Sequence, residues 1–293
     1  MGGEHTLVKI VAEIGCNHKG DLSVAKQLII AAKNCGADVA KFQKRHNKSL
    51  LSDAEYNEPH PEPWHSYGKS YGLHREALEF SIEQHEDLKE FCEANAIMYC
   101  SSVWDIESAK EISGLHPRII KIPSAVNLNF EMQKYLCEYF AGGIHLSTGM
   151  TTKTELKSII DFYKSEKRIN DLVFYSCTSG YPVDANEICL LEIKLLQDLI
   201  KDTNSEVGFS GHHHGIAPDM AAITLGVSWI ERHFTLNRTW KGTDHAASLE
   251  PEGLRRLCRD AKNVKAALNY KSSDILPVEI FQRKKLKKLF SGK

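Results

Sequence analysis

Two lysines stand where lysines are costly. Lys41 lies in Val39-Ala40-Lys41-Phe42 and Lys121 in Ile119-Ile120-Lys121-Ile122, runs that read as buried strands. A buried ammonium needs a partner, so the pair points to anion binding; the alternative is two lysines snorkelling along the outer wall of a sheet. Ser102, Ser124, Ser147 and Ser210 also fall at strand ends. Ammonium groups supply charge and hydroxyls supply directional donors, which together suit a phosphorylated anion. A lysine forming a Schiff base is the competing chemistry. His212 and His233 end consecutive strands and are therefore neighbours. Two neutral imidazoles could hold a divalent metal and leave positions open for water and substrate. In the triple His212-His213-His214, at least one ring reads as a solvated loop residue. Glu13 faces the same strand ends, as a general acid/base or as a counter-ion for Lys41. Asp244, in Lys241-Gly242-Thr243-Asp244-His245, could bind a sugar hydroxyl or be an ordinary turn aspartate.

The elements that must position these residues follow from periodicity. Apolar, β-branched runs at 8–15, 38–43, 97–103, 118–124, 143–150, 172–178, 206–212 and 228–235 read as strands. Amphipathic stretches alternate with them. The first begins at Gly20-Asp21, carries Leu22, Ala25, Leu28, Ile29 and Ala32 at helical spacing, and ends at Gly36. Others are expected at 85–95, after Asp105, at 129–138, after Thr152 and Glu155 as a capping box, and at 188–200, 217–226 and 250–268. Near-continuous apolar strands suit a parallel sheet covered by helices. Eight strand–helix units without a GxGxxG predict an α/β fold, a closed (β/α)8 TIM barrel, rather than an open doubly wound sheet. In such a barrel the active site lies at the C-terminal strand ends. Polar residues occur there in nearly every unit: besides those above, Asn17, Gln43, Ser101, Thr178 and Glu231. Residues 44–80 are long for a βα loop, where ~2–6 residues are usual, and predict a lid or binding loop. Residues 236–249 form a second insertion. The expected organisation is one barrel domain over 1–271 and a basic tail over 272–293, whose QRKKLKKL run reads as a solvated helix face.

The composition agrees with this. The 293 residues carry 37 Lys+Arg against 38 Asp+Glu, a net charge of -1, with 42% hydrophobic residues. Disorder needs lower hydrophobicity and higher net charge, and there is no basic excess to predict a nucleic-acid partner. No apolar run reaches the ~18 residues of a membrane span, and MGGEHTLVK lacks a secretory core. Eight scattered cysteines without a CxxC pair fit a reducing, cytoplasmic setting.

Assembled, the motifs AEIGCNHKGD (12–21), GADVAKFQKR (36–45), YGKSYGLHREALEFS (67–81), KIPS (121–124), LSTGM (146–150), CTSGYP (177–182), GFSGHHHGI (208–216) and ERHFTLNRTWKGTDHAASLEPEGL (231–254) resemble the sialic acid synthase (NeuB-like) family over roughly residues 8–270. The resemblance implies condensation of phosphoenolpyruvate with an open-chain aldose, N-acetylmannosamine or its 6-phosphate, with release of phosphate by C–O cleavage. It implies a divalent metal cofactor, Mn2+ or Mg2+, held by His212 and His233. It gives Lys41, Ser102, Lys121, Ser124, Ser147 and Ser210 to phosphoenolpyruvate. Gln43, Tyr71, Tyr181 and Asp244 go to the sugar, and Glu13, Lys41 and Lys121 to catalysis, with Glu13 between the two substrates. A Schiff-base aldolase and a non-catalytic sugar or phosphoenolpyruvate binder are the alternatives. Three departures fall on the sugar side. The family's C-terminal antifreeze-like domain, which lends an arginine to the partner subunit, would begin about where this chain ends at Lys293. A homodimer would then use barrel surfaces. Ser124-Ala125-Val126 lacks the acidic residue of KIxSG(E/D), and Ser179 replaces the asparagine of CTN.

Overall fold

The computed structural model describes residues 7–288. Residues 1–6, most of the stretch read for a secretory core, and 289–293, the end of the basic tail, lie outside the described residues. Eight parallel strands close on themselves in chain order: β1 (Lys9–Glu13), β2 (Val39–Lys44), β3 (Met98–Val103), β4 (Ile119–Ile122), β5 (Gly143–Ser147), β6 (Leu172–Cys177), β7 (Glu206–Gly211) and β8 (Trp229–His233). The predicted (β/α)8 barrel is therefore the fold. Outer helices follow in turn: α1 (Leu22–Cys35), then α2 (Asn47–Leu50), α3 (Asp53–Asn57) and α4 (Tyr71–Ala77) within the 44–80 insertion, then α5 (Ile82–Ala94), α6 (Ile106–Gly114), α7 (Phe130–Tyr139), α8 (Lys153–Ser165), α9 (Glu192–Ile200), α10 (Ala217–Thr224) and α11 (Pro251–Ala267). A further helix, α12 (Pro277–Leu286), carries the first part of the basic run, residues 282–286, on an exposed surface. Among the described residues no helix is long and apolar enough to cross a membrane.

The caps read from sequence form as expected. The Asp21 carboxylate accepts from the backbone N–H of Ser23 and Val24, and Gly36 ends α1 at φ 95°, where a Cβ would be strained. Asp105 caps α6, and Thr152 with Glu155 closes a capping box on α8. We predict that Asp21→Ala lowers the unfolding free energy by about 1 kcal/mol, measurable by urea denaturation, with no change in substrate affinity. Some elements are shorter than predicted. The run 118–124 stops being strand at Ile122, where Pro123 leads into a 3-10 turn (Ser124–Val126). The helix expected from 188 begins at Glu192, because Cys189 takes φ 53° and interrupts it.

Strand alternation sorts the side chains into two layers. Ile10, Ala12, Ala40, Phe42, Ile120, Ile122, Phe174 and Ile230 pack outward under the helices. Val11, Val39, Cys100, Ile119, Val173, Tyr175 and Trp229 point inward and form an apolar floor. Two residues further along the same strands come Glu13, Lys41, Ser102, Lys121, Cys177 and Glu231. The period of two that buries Phe42 outward thus turns Lys41 and Gln43 inward.

Three buried imidazoles outside the mouth, His18, His85 and His145, are held to about 3. Burial is the leading cause for each, followed by His85 for His18, Lys44 for His85 and Lys121 for His145. The unfolded chain, near 6.5, binds more protons than the folded one between those values, so stability is lost as pH falls below ~6.5. Each such group is worth on the order of 1 kcal/mol per pH unit in that window. The melting temperature should be flat from pH 7 to 8.5 and drop steeply from pH 6.5 to 5; equal melting at pH 5 and 7 would contradict it.

Candidate active site

One cavity of about 650 Å³ opens at the C-terminal strand ends. It is lined by Glu13, Lys41, Gln43, Tyr71, Ser102, Lys121, Ser124, Ser147, Tyr181, Ser210, His212, His233 and Asp244, so every candidate site residue lies on it. Asn17, Ser101 and Thr178, grouped with them in the sequence reading, do not. Asn17 Nδ2 donates to the Phe234 carbonyl and to Ser248 Oγ, each at 2.9 Å. Ser101 takes the opposite side of the pleat from Ser102, and Thr178 Oγ1 donates to the Glu187 carbonyl.

At the bottom of the cavity four charges alternate. Lys41 Nζ lies 2.6 Å from Glu13 Oε2 and 3.5 Å from Glu231 Oε1, and Lys121 Nζ lies 3.2 Å from Glu231 Oε2. The lysines therefore face inward, and neither snorkels on the outer wall. Register sets this up: Glu13 pairs with Lys41 across β1–β2, and Ser210 with Glu231 across β7–β8. Ser210 Oγ donates to Glu231 Oε1 at 3.3 Å, and Gln43 Nε2 to Glu13 Oε1 at 2.8 Å. Burial opposes charge on Lys41, but Glu13 and Glu231 outweigh it and its pKa is raised. On Lys121 burial prevails over Glu231 and the pKa is lowered, although Nζ also sits 3.3 Å from the centre of the Tyr175 ring. Burial works against the Glu231 carboxylate, yet Lys121 and then Lys41 hold it down at about 2. Each ammonium keeps a donor for a ligand, since Lys has three. Glu231 was visible at a strand end but had no role in the sequence reading. Its place two residues before His233 on one strand was the signal.

The imidazoles stand beside this row: His233 pairs with Glu13 across β1–β8 and follows Glu231 by two residues on β8. The rings of His212 and His233 are 5.4 Å apart, with Tyr181 at 4.2 and 5.7 Å from them. His212 Nδ1–H donates to the Thr178 carbonyl at 3.0 Å, which leaves Nε2 as the free lone pair. Burial first, and His233 second, push His212 down to about 3, so the ring is neutral. His233 keeps a buried Nδ1 without a hydrogen-bond partner, 3.7 Å from Asp244 Oδ2. A neutral His212 ring oriented by a backbone acceptor, beside a His233 ring with an unpartnered buried nitrogen, fits an open catalytic cation centre. No cluster of three or more His, Cys, Asp or Glu donors occurs among the described residues, which excludes a closed structural site built from them. Gly15, at φ 53°, completes the corner: a Cβ there would lie 2.9 Å from Glu13 Oε1, 3.0 Å from Gln43 Nε2 and 3.6 Å from Asp244 Oδ2. Glu13, Gln43 and Asp244 are thus close enough to touch one ligand.

The insertions roof one side of this mouth. Tyr67 OH donates to the Lys241 carbonyl at 2.5 Å and Gly242 N–H to His65 Nδ1 at 3.1 Å, joining 44–80 to 236–249. The insertion predicted as a loop is in fact three short helices and a 3-10 turn. It adds His60, His74 and Arg75 to the lining, which the sequence reading missed.

A closed barrel whose eight strands all deliver polar groups to one cavity defines a TIM-barrel enzyme. The chain belongs to the NeuB family, whose model matches residues 28–273. It is 38% identical to the human N-acetylneuraminate-9-phosphate synthase over 98% of this chain and 78% of that protein. It is 34% identical to the N,N'-diacetyllegionaminic acid synthase of Campylobacter jejuni over 88% of this chain and 77% of that protein. Among solved structures, the N-acetylneuraminic acid synthetase of Leptospira borgpetersenii superposes with a TM-score of 0.80 at 24% identity, covering 97% of this chain and 94% of that one.

Proposed function

We propose that this protein condenses phosphoenolpyruvate with an open-chain N-acylated hexosamine to give a nonulosonic acid and inorganic phosphate. The relatives named as N-acetylneuraminate-9-phosphate and diacetyllegionaminic acid synthases support the class of product. The observation that carries the reading is the alternating Glu13–Lys41–Glu231–Lys121 row with the paired rings of His212 and His233 beside it in one cavity.

In this reading Lys41, Lys121 and the hydroxyls of Ser102, Ser124, Ser147 and Ser210 hold the carboxylate and phosphate of phosphoenolpyruvate. Gln43, Tyr71, Tyr181 and Asp244 orient the sugar. His212 and His233 would hold a divalent cation, Mn2+ or Mg2+, whose chemistry is Lewis-acid polarisation of the aldehyde oxygen. The enol C3 forms a bond to the aldehyde carbon, whose oxygen becomes an alkoxide, and C2 becomes electron-poor. Water adds at C2, and Glu13 takes its proton and returns it to the alkoxide. The C2–O bond to phosphate then breaks as the C2 hydroxyl becomes the ketone and its proton leaves with the phosphate, the lysines stabilising the departing charge. Fixing both substrates on one rigid set of strand ends removes much of the entropic barrier. The unit that does this is residues 1–271, and eight free thiols suit a cytoplasmic setting.

The test is phosphate release from phosphoenolpyruvate with Mn2+ and either N-acetylmannosamine or its 6-phosphate, with mass spectrometry of the acid formed. Nine-carbon acid in amounts matching the phosphate is expected, together with loss of turnover in EDTA. Borohydride trapping of pyruvate on Lys41 or Lys121 without phosphate release would instead establish an aldolase.

A further inference from the structure

The cavity floor rests on a side chain that the reaction above does not use. Tyr175, on β6, is fully buried and does not line the cavity. Its ring centre lies 3.3 Å from Lys121 Nζ. Among the described residues, Glu231 is the one carboxylate that pairs with this ammonium, at 3.2 Å. Lys41 by contrast meets two, Glu13 at 2.6 Å and Glu231 at 3.5 Å. Burial works against the charge on Lys121. An aromatic face attracts a cation through its quadrupole, most strongly where water is excluded, and so offsets part of that opposition. It does this without a formal negative charge. A second carboxylate at this place would cancel the ammonium and repel an incoming anion, and the ring does neither.

The ring is fixed by its neighbours. The Tyr175 hydroxyl and His145 Nδ1 share a hydrogen bond of 2.9 Å. The His145 ring meets Trp229 edge to face with centres 4.5 Å apart, and Trp229 Nε1 donates to Glu206 Oε2 at 3.0 Å. In register with Tyr175 on β7 stands Gly208. A Cβ there would lie 2.7 Å from Cε1 and 2.8 Å from Cδ1 of the ring, so a side chain at 208 would push the ring from its place. Burial raises the pKa of the phenol, which keeps the ring neutral. Packing alone does not call for an aromatic here, since the same floor is otherwise filled by Val11, Val39, Ile119 and Val173.

We propose that Tyr175 is a positioning residue for the donor anion: its face seats the Lys121 ammonium so that one N–H meets Glu231 and the remaining charge is directed into the cavity, at the enol ester. This rests on the proposed assignment of Lys121 to phosphoenolpyruvate. Of the three ammonium donors, one goes to Glu231 and one side of Nζ is covered by the ring, which leaves the cavity side for the ligand.

The test compares Tyr175→Leu with Tyr175→Phe. Tyr175→Leu should raise KM for phosphoenolpyruvate at least about tenfold and leave KM for the aldose within about threefold. Tyr175→Phe keeps the face and loses the hydroxyl, so it should recover the KM for phosphoenolpyruvate to within about threefold of the unaltered protein, although the unpartnered His145 Nδ1 lowers its melting temperature. An unchanged KM in Tyr175→Leu, or an equal loss in both variants, would overturn the role. NMR of lysines labelled at Cε reads the seating without substrate. The Lys121 signal, assigned by its disappearance in Lys121→Met, should be displaced by the ring current in the unaltered protein and in Tyr175→Phe, and not in Tyr175→Leu; a signal without that displacement in the unaltered protein would overturn the seating. Calorimetric titration with phosphoenolpyruvate alone separates the two claims. If no aldose is turned over, the condensation fails; the role of Tyr175 is then judged by whether Tyr175→Leu binds phosphoenolpyruvate at least about tenfold more weakly than Tyr175→Phe does. No binding of phosphoenolpyruvate by the folded, unaltered protein would overturn both.

Discussion

Lys121→Met should lower kcat/KM for phosphoenolpyruvate on the order of 10³-fold while leaving the barrel folded. Lys121 is 1% exposed, and its ammonium is one of two that face the cavity floor. Removing a preorganised charge from where charge develops costs about 10²–10³ in rate, and here the same group also binds the ground-state anion. The fold is spared because Glu231 keeps Lys41 at 3.5 Å and Ser210 at 3.3 Å. Glu231 is therefore not left as an unpaired buried charge, the situation that unfolds proteins. Lys121→Arg should not rescue activity, since a planar guanidinium cannot reproduce a compact ammonium packed 3.3 Å from the centre of Tyr175. Steady-state kinetics with circular dichroism and thermal melting as controls check this. A loss under tenfold in a folded Lys121→Met protein would remove Lys121 from the donor site.

His212→Ala should abolish turnover, with a fall of at least about 10³-fold, and weaken Mn2+ binding at least about 100-fold. With two imidazoles in the proposed donor set, deleting one halves the protein's contribution to the cation. The His212 ring is also oriented by its Nδ1–H bond to the Thr178 carbonyl, which leaves its Nε2 lone pair as the group that the substitution removes. Mn2+ titration followed by electron paramagnetic resonance reads the loss without any turnover. A variant that binds Mn2+ as the unaltered protein does would place the cation elsewhere and leave the imidazoles as sugar contacts.

How much of this was legible beforehand differs by residue. Lys41 and Lys121 were found because a charged residue inside an apolar run breaks a local pattern. His212 and His233 followed from chain order, since consecutive strands of a closed barrel are neighbours. The capping of α1, α6 and α8 was legible because a cap is a contact over three residues. Glu231 was seen without its meaning, because its role depends on two lysines from β2 and β4 converging on it. Arg75 was hidden for the same reason: in sequence it is an ordinary basic residue on a short helix. Asn17 and Ser101 were over-read, since nearness to a strand end does not say which way a side chain turns.

The sequence by itself determined the alternation of strand and helix, hence the closed barrel, and the period of two that turns particular residues toward the lumen. These are properties of short windows, fixed by backbone geometry and the burial of apolar faces. Only the tertiary structure decided which charges neutralise which, and that the insertion at 44–80 meets the loop at 236–249 through Tyr67 and Lys241, 174 residues apart. Contacts of that span carry no periodic signal. They are set by how two irregular segments pack once the barrel has brought their ends together.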